Sequence, residues 1–159
     1  MENLSENAQV VQEKLIDLGY TNKVEELPDS TRTAQEAADA IGCEVAQIAK
    51  SIVFRLANSD KPLLVIASGE NRINEKQIEK YLDDDKLGKA NADFVRKHTG
   101  YVIGGVPPVG HTEPIMTFID EALFRFKDIW AAAGHPKAVV RLTPDALVDM
   151  TNGQVVDVT

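Results

Sequence analysis

The sequence predicts an α/β domain in which a mixed, largely antiparallel central sheet is wrapped by helices. Two apolar pairs of runs carry the sheet. Residues 52–56 and 63–67 flank the turn Asn58-Ser59-Asp60, and residues 129–133 and 138–142 flank Gly134-His135-Pro136-Lys137. A third observation carries the helices: amphipathic stretches with capping signals fall between these runs without the regular alternation of a doubly wound fold. The 159 residues are expected to form one domain over 1–159. A chain of that size buries roughly 70% of its unfolded surface and needs no covalent staples.

In chain order, Val10, Val11, Leu15 and Leu18 place a first helix over 5–19, with Gly19 as its stop. Residues 24–27 read as a short strand closed by Pro28-Asp29-Ser30. Thr33-Ala34-Gln35-Glu36 is a capping box opening a second helix, whose face Ala34, Ala37, Ala38, Ile41 runs to Gly42. A helical turn near 45–48 leads into the strand 52–56. The run 63–67 is apolar on both faces and so reads as a central strand. Asn74 caps the next helix, with Ile73 and Ile78 spaced as a hydrophobic staple. Asp83-Asp84-Asp85 reads as a solvated loop. Asn91 caps a helix whose last turn holds Arg96, Lys97 and His98, cations that complement its dipole. Residues 114–119 form a strand, with a helical turn at 121–124. Thr143-Pro144 starts the last helix, and 155–158 closes as a strand.

Seventeen basic residues against twenty-five acidic ones give a formal charge of −8. That balance argues against tracking along a nucleic-acid backbone, which takes many phosphate contacts, but permits a pocket that grips one terminal nucleotide. Cys43 is the only cysteine, which excludes an internal disulfide. It is expected to be a partly buried small residue rather than a nucleophile. The acidic start Met1-Glu2-Asn3-Leu4-Ser5-Glu6 lacks the pattern of a signal peptide, and no apolar run nears the roughly twenty residues that span a bilayer. A cytoplasmic protein is expected.

Three segments could hold chemistry. Lys50 stands just before an apolar strand with Ser51 beside it; it is either a lysine snorkelling from a sheet edge or a cation projecting into a pocket, where it could hold a phosphate or polarise a carbonyl. The loop 104–111 opens Gly104-Gly105 and stiffens through Pro107-Pro108, so it is either a tight connection or a ligand wall of backbone groups. No Gly-Lys-Ser/Thr follows, so it is not a phosphate loop. Gly134-His135 is either a surface turn or a backbone N–H beside a titratable ring. His98, His111 and His135 match no short metal-ligand spacing. Without a Gly-x-Ser-x-Gly elbow, no protein nucleophile stands out.

Taken together in order, these segments resemble the YbaK/prolyl-tRNA editing family. Ile48-Ala49-Lys50-Ser51-Ile52-Val53-Phe54 is similar to its lysine segment, Gly104-Gly105-Val106-Pro107-Pro108 to its Gly-x-x-x-Pro loop, and Ala133-Gly134-His135-Pro136 to the Gly-His turn of several subgroups. The likeness covers nearly the whole chain. It implies an aminoacyl-tRNA deacylase, a carboxylic ester hydrolase that removes a wrongly attached small amino acid from tRNA, first of all tRNA(Pro). It implies no metal and no other cofactor. The partners it implies are the acceptor end of mischarged tRNA and, for delivery, prolyl-tRNA synthetase or an elongation factor. By the same resemblance Lys50, Gly104 and His135 are the catalytic residues, and Ser51, Gly105, Pro108 and Gly134 bind substrate. Ser51 replaces the Asn common in the alanine-editing subgroup, so alanine is not assigned as the amino acid removed. The alternative is a non-catalytic module that binds aminoacyl-tRNA or a synthetase; a pocket for a small metabolite is a third reading.

Overall fold

Among the described residues eight strands form one sheet in the order β1-β7-β6-β2-β3-β5-β8, with β4 joining β2 off this path. The computed structural model describes residues 5–28 and 33–159, so the expected acidic start at 1–4 and the Asp29-Ser30 turn lie outside the described residues. The strands are β1 (Val24–Glu26), β2 (Ile48–Leu56), β3 (Pro62–Ser68), β4 (Leu87–Lys89), β5 (Met116–Asp120), β6 (Ile129–Ala132), β7 (Ala138–Leu142) and β8 (Gln154–Val156). The pairs β1/β7, β6/β7, β2/β3 and β2/β4 are antiparallel; β2/β6, β3/β5 and β5/β8 are parallel. The sheet is therefore mixed and mostly antiparallel, as the two apolar pairs predict.

The helices are α1 (Glu6–Asp17), α2 (Ala34–Ile41), α3 (Glu75–Glu79), α4 (Ala92–Thr99) and α5 (Pro144–Thr151). Caps legible in the sequence form as expected. Thr33 Oγ1 accepts from Glu36 N–H at 3.1 Å while Glu36 returns the bond to Thr33 N–H, and Asn74, Asn91 and Thr143 each cap their own helix. The buried face of α1 differs from expectation. Ala8, Val11, Gln12 and Leu15 are buried at spacings of three and four, whereas Val10 and Leu18 are exposed. Gln12 is tolerated inside because it is satisfied: its amide donates to Asn22 O at 3.0 Å and its carbonyl accepts from Val24 N–H at 2.8 Å.

Alternation along β3 builds both layers of the core. Leu64 and Ile66 join α1, α5, Ile119, Ile129 and Val140 on one face. Leu63, Val65 and Ala67 pack with Phe118 and with Ile78 of α3 on the other. Beside this second cluster, Ile48 meets Ala37 and Ala38 of α2. All of β3 is buried, so it is central as predicted, and each of its four large residues from Leu63 to Ile66 contributes about 1.5–3 kcal/mol of burial.

One expectation is corrected and two features are added. β2 starts at Ile48 rather than 52, because the 3₁₀ turn Val45–Gln47 ends there and Ile48 and Ala49 already pair with β6. β4 had no sequence signal. The acidic run is a largely exposed loop, as expected, in which the Asp85 carboxylate also accepts from Asn58 N–H at 2.8 Å and from the Ser59 hydroxyl at 2.8 Å, and so fixes the β2–β3 turn. Among the described residues no helix is long and apolar enough to cross a membrane.

Candidate active site

β2 carries the centre of the site. Its start pairs with β6, Ile48 with Trp130 and Ala49 with Ala131, while its end pairs with β4 from Phe54 to Leu56. Residues 50–53 have no strand partner on that edge. A cavity of about 460 Å³ lies at this break, lined by Lys50 and Ser51 of β2, Trp130 to Ala132 of β6, Gly104 and Val106. Thr33 and Ala34 at the start of α2 complete its wall.

Lys50 is the third residue of β2 and shares a face with its cross-strand partner Ala67. Burial pushes its ammonium pKa down, the nearby Arg72 guanidinium adds to that, and Asp120 works in the opposite direction. Asp120 makes no ion pair with it; its carboxylate accepts from the Ser68, Asn71 and Ala122 nitrogens, each at 2.9 Å. Lys50 is thus a partly desolvated cation with no ion-pair partner among the described residues, and it would welcome an anionic or strongly dipolar ligand.

The glycine loop reaches the cavity from the far side. Gly104 adopts φ +91°, a conformation that glycine enters readily. Gly105 passes so close to the following β6–β7 turn that a Cβ would sit 3.2 Å from the His135 backbone. The Gly105 carbonyl accepts the Gly134 N–H at 2.9 Å. Two of the three recognised segments therefore lock to each other through bare backbone. Further along, the His111 ring donates from Nε2 to the Pro107 carbonyl at 2.6 Å, and Tyr101 donates its hydroxyl to Gly110 O at 3.0 Å. Burial lowers the His111 pKa, against the pull of the Pro107 bond.

Of the seven expected site residues, Lys50, Ser51 and Gly104 line the cavity. Gly105, Pro108, Gly134 and His135 do not. Pro108 faces a separate concavity of about 340 Å³ beside His111. The Gly134 N–H, expected to meet substrate, is spent on Gly105. His135 Nδ1 accepts from Lys137 N–H at 3.1 Å, which leaves Nε2 as the ring's remaining nitrogen. His98 pairs with Glu113 and leans on Phe94, and His111 is held by Pro107, so each has a partner of its own. Among the described residues no three His, Cys, Asp or Glu side chains gather where a metal could bind. Trp130, Val106 and Thr33 were missed as lining residues. Trp130 was legible only as a strand residue, since its register with Ile48 spans the chain.

A mixed sheet with a cavity at an interrupted edge, walled by Gly104 and Val106 and holding one lysine, defines a domain with a small-ligand site. The chain belongs to the aminoacyl-tRNA editing domain family, whose model matches residues 28–150. It is 32% identical over 134 residues to the uncharacterized protein YwhH of Bacillus subtilis, covering 84% of each chain. It is 26% identical over 127 residues to EbsC of Enterococcus faecalis, described as a proposed Cys-tRNA(Pro)/Cys-tRNA(Cys) deacylase, covering 80% of this chain and 77% of that one. A crystal structure of a proposed trans-editing enzyme for prolyl tRNA synthetase superposes with a TM-score of 0.93 at 43% identity, covering 99% of both chains.

Proposed function

We propose that this chain is a trans-editing aminoacyl-tRNA deacylase that hydrolyses the ester joining a wrong, small amino acid to tRNA, with tRNA(Pro) as the first candidate. The observation that carries the reading is the cavity at the break in β2, where an unpaired lysine faces a backbone loop. Family membership and the likeness to a trans-editing structure over almost its full length support it.

In this reading Lys50 holds the terminal phosphate or the ester carbonyl, and Gly104 offers backbone to the attacking water. The water adds to the ester carbonyl carbon, the bond to the ribose oxygen breaks, and that oxygen takes a proton, releasing free amino acid and tRNA. Gly105, Pro108 and Gly134 act by fixing the loop, and His135 Nε2 stands at the turn for the ribose or the aminoacyl group. The work suits a size-selective second site, because synthetases separate amino acids differing by a methylene by only about 1–3 kcal/mol. One domain suffices for it, working where charged tRNA is, in the cytoplasm. Prolyl-tRNA synthetase or an elongation factor would deliver the substrate to a protein whose own charge is −8.

Deacylation measured against a panel of mischarged tRNAs tests the reading. Selective release of one or two small amino acids from tRNA(Pro) is the expected result. Binding without turnover would leave a recognition module, and no interaction with any charged tRNA would remove the assignment.

A further inference from the structure

The interrupted edge of β2 specifies how an amino acid sits in the cavity. The β2/β3 register runs without a bulge from Ala49 opposite Ser68 to Arg55 opposite Pro62. The Gly69 N–H donates to Ile48 O and the Leu56 N–H to Lys61 O, both at 2.8 Å, so even-numbered residues of β2 turn their backbone groups to β3. Odd-numbered residues turn theirs to the opposite edge, as the Ala57 N–H bonded to Lys86 O at 2.8 Å shows next to β4. Ala49 spends its groups at β6 and Arg55 at β4. Ser51 lies in the open stretch between them and lines the cavity. Its hydroxyl oxygen is inaccessible and has no hydrogen-bond partner, yet the residue as a whole is partly exposed. The exposed part of Ser51 is therefore not its hydroxyl, and its main-chain groups face the unpaired edge.

We propose that the Ser51 N–H and C=O are the docking site for the carbonyl and α-amino groups of the amino acid being removed, which pairs with β2 as a strand one residue long. The inference rests on the deacylase reading above. Two residues facing each other in a hydrogen-bonded antiparallel pair exchange both bonds. The substrate ammonium donates to Ser51 O, and the Ser51 N–H donates to the ester carbonyl oxygen. That N–H then also faces the oxyanion that forms when water adds.

The pairing fixes two further features. Directly opposed residues put their side chains on the same face, so the amino acid's side chain lies on the Ser51 Cβ side. There Val106 and Ala131, both buried in the first core cluster, limit its size. Because the pair is antiparallel, the ester oxygen and ribose lead back towards the start of β2. Lys50 and Trp130 stand at that end. β6 already holds that edge at Ala49, so in this pose the ribose turns out of the sheet plane beside Lys50.

The test uses two non-hydrolysable probes on the full chain. One is 3′-amino-3′-deoxyadenosine joined by an amide to the amino acid that the tRNA panel shows to be removed; the other carries the same acid without its α-amino group. Amide hydrogen exchange and NMR titration are read residue by residue. The first probe is expected to slow exchange at Ser51 about tenfold or more, and the second to bind about 10- to 100-fold more weakly, the loss of one hydrogen bond to a charged group. Unchanged exchange at Ser51 with the first probe bound, or equal binding of the two, would overturn the proposal while leaving the deacylase reading standing. Failure of the deacylase reading looks different: no mischarged tRNA is turned over, and both ideas fall.

Discussion

Lys50 carries a charge that its surroundings disfavour. Burial and Arg72 both oppose the ammonium, and Asp120 offsets them only in part. A lysine in such surroundings is a functional-site candidate rather than a source of stability. Lys50→Ala is expected to leave the fold intact and to cut kcat/KM for deacylation about a hundredfold or more, equivalent to about 2.7 kcal/mol of transition-state stabilisation. Lys50→Met, which keeps the stem and discards the charge, is expected to melt no lower than the parent. Near-normal turnover by either folded variant would take the centre out of the site. The lysine was legible in the sequence as one charge before an apolar strand. Its place in a pocket was legible as one of two readings only, because nothing local reveals that the neighbouring strand breaks off two residues into β2.

Among the elements, what was legible was what is local. Capping boxes, helix stops and hairpins depend on residues three to ten apart, and those at Thr33, Asn74, Asn91 and the β6–β7 hairpin formed as read. The parallel contact of Ile48 with Trp130 joins distant segments and leaves no local trace, so the start of β2 was misplaced with it. The β6–β7 turn illustrates how elements far apart constrain one another. Gly134 sits at φ +97° against α1, where a Cβ would come within 2.7 Å of Asn7 O and 2.9 Å of Val11 Cγ2. Gly134→Ala is therefore expected to cost about 2 kcal/mol or more by urea unfolding, and to lower activity with it by shifting Gly105. α1 thus backs the site although it lies outside the matched segment 28–150.

The far end of α1 offers a pH test. The Tyr20 hydroxyl donates to Asp149 of α5, and that bond, then burial, then the charge of Asp149, push its pKa up to about 12. The folded chain holds this proton longer than the unfolded chain, whose tyrosine titrates near 10.0. The contribution is therefore complete below about pH 10 and is lost as pH rises through about 12. An alkaline absorbance titration should show one phenol ionising near pH 12, absent in Tyr20→Phe, whose stability should fall less over that range.

At the scale of the whole molecule, the net charge of −8 limits how RNA can be held. Gripping only a single-stranded acceptor end neutralises about one to three phosphates, so the log–log dependence of affinity on salt should have a slope of about −0.7 to −2. A minihelix carrying the acceptor stem should serve nearly as well as whole tRNA. A slope of about −6, measured by titration across salt, would reveal a broad basic docking surface and end the acceptor-end mechanism.

The break in β2 has a bearing on what else can enter. An unpaired strand edge ordinarily invites other chains to add themselves, by aggregation or by peptide capture. Here the unpaired stretch is residues 50–53, stopped at one end by β6 and at the other by β4. A passing polypeptide needs clearance beyond both ends of the stretch it pairs with, and the two strands deny it. In the proposed pose a single aminoacyl residue fits within the gap, and its ribose turns out of the sheet plane before reaching β6. On the proposed docking, the interruption that admits one terminal aminoacyl group leaves no room for a longer strand to pair beside it.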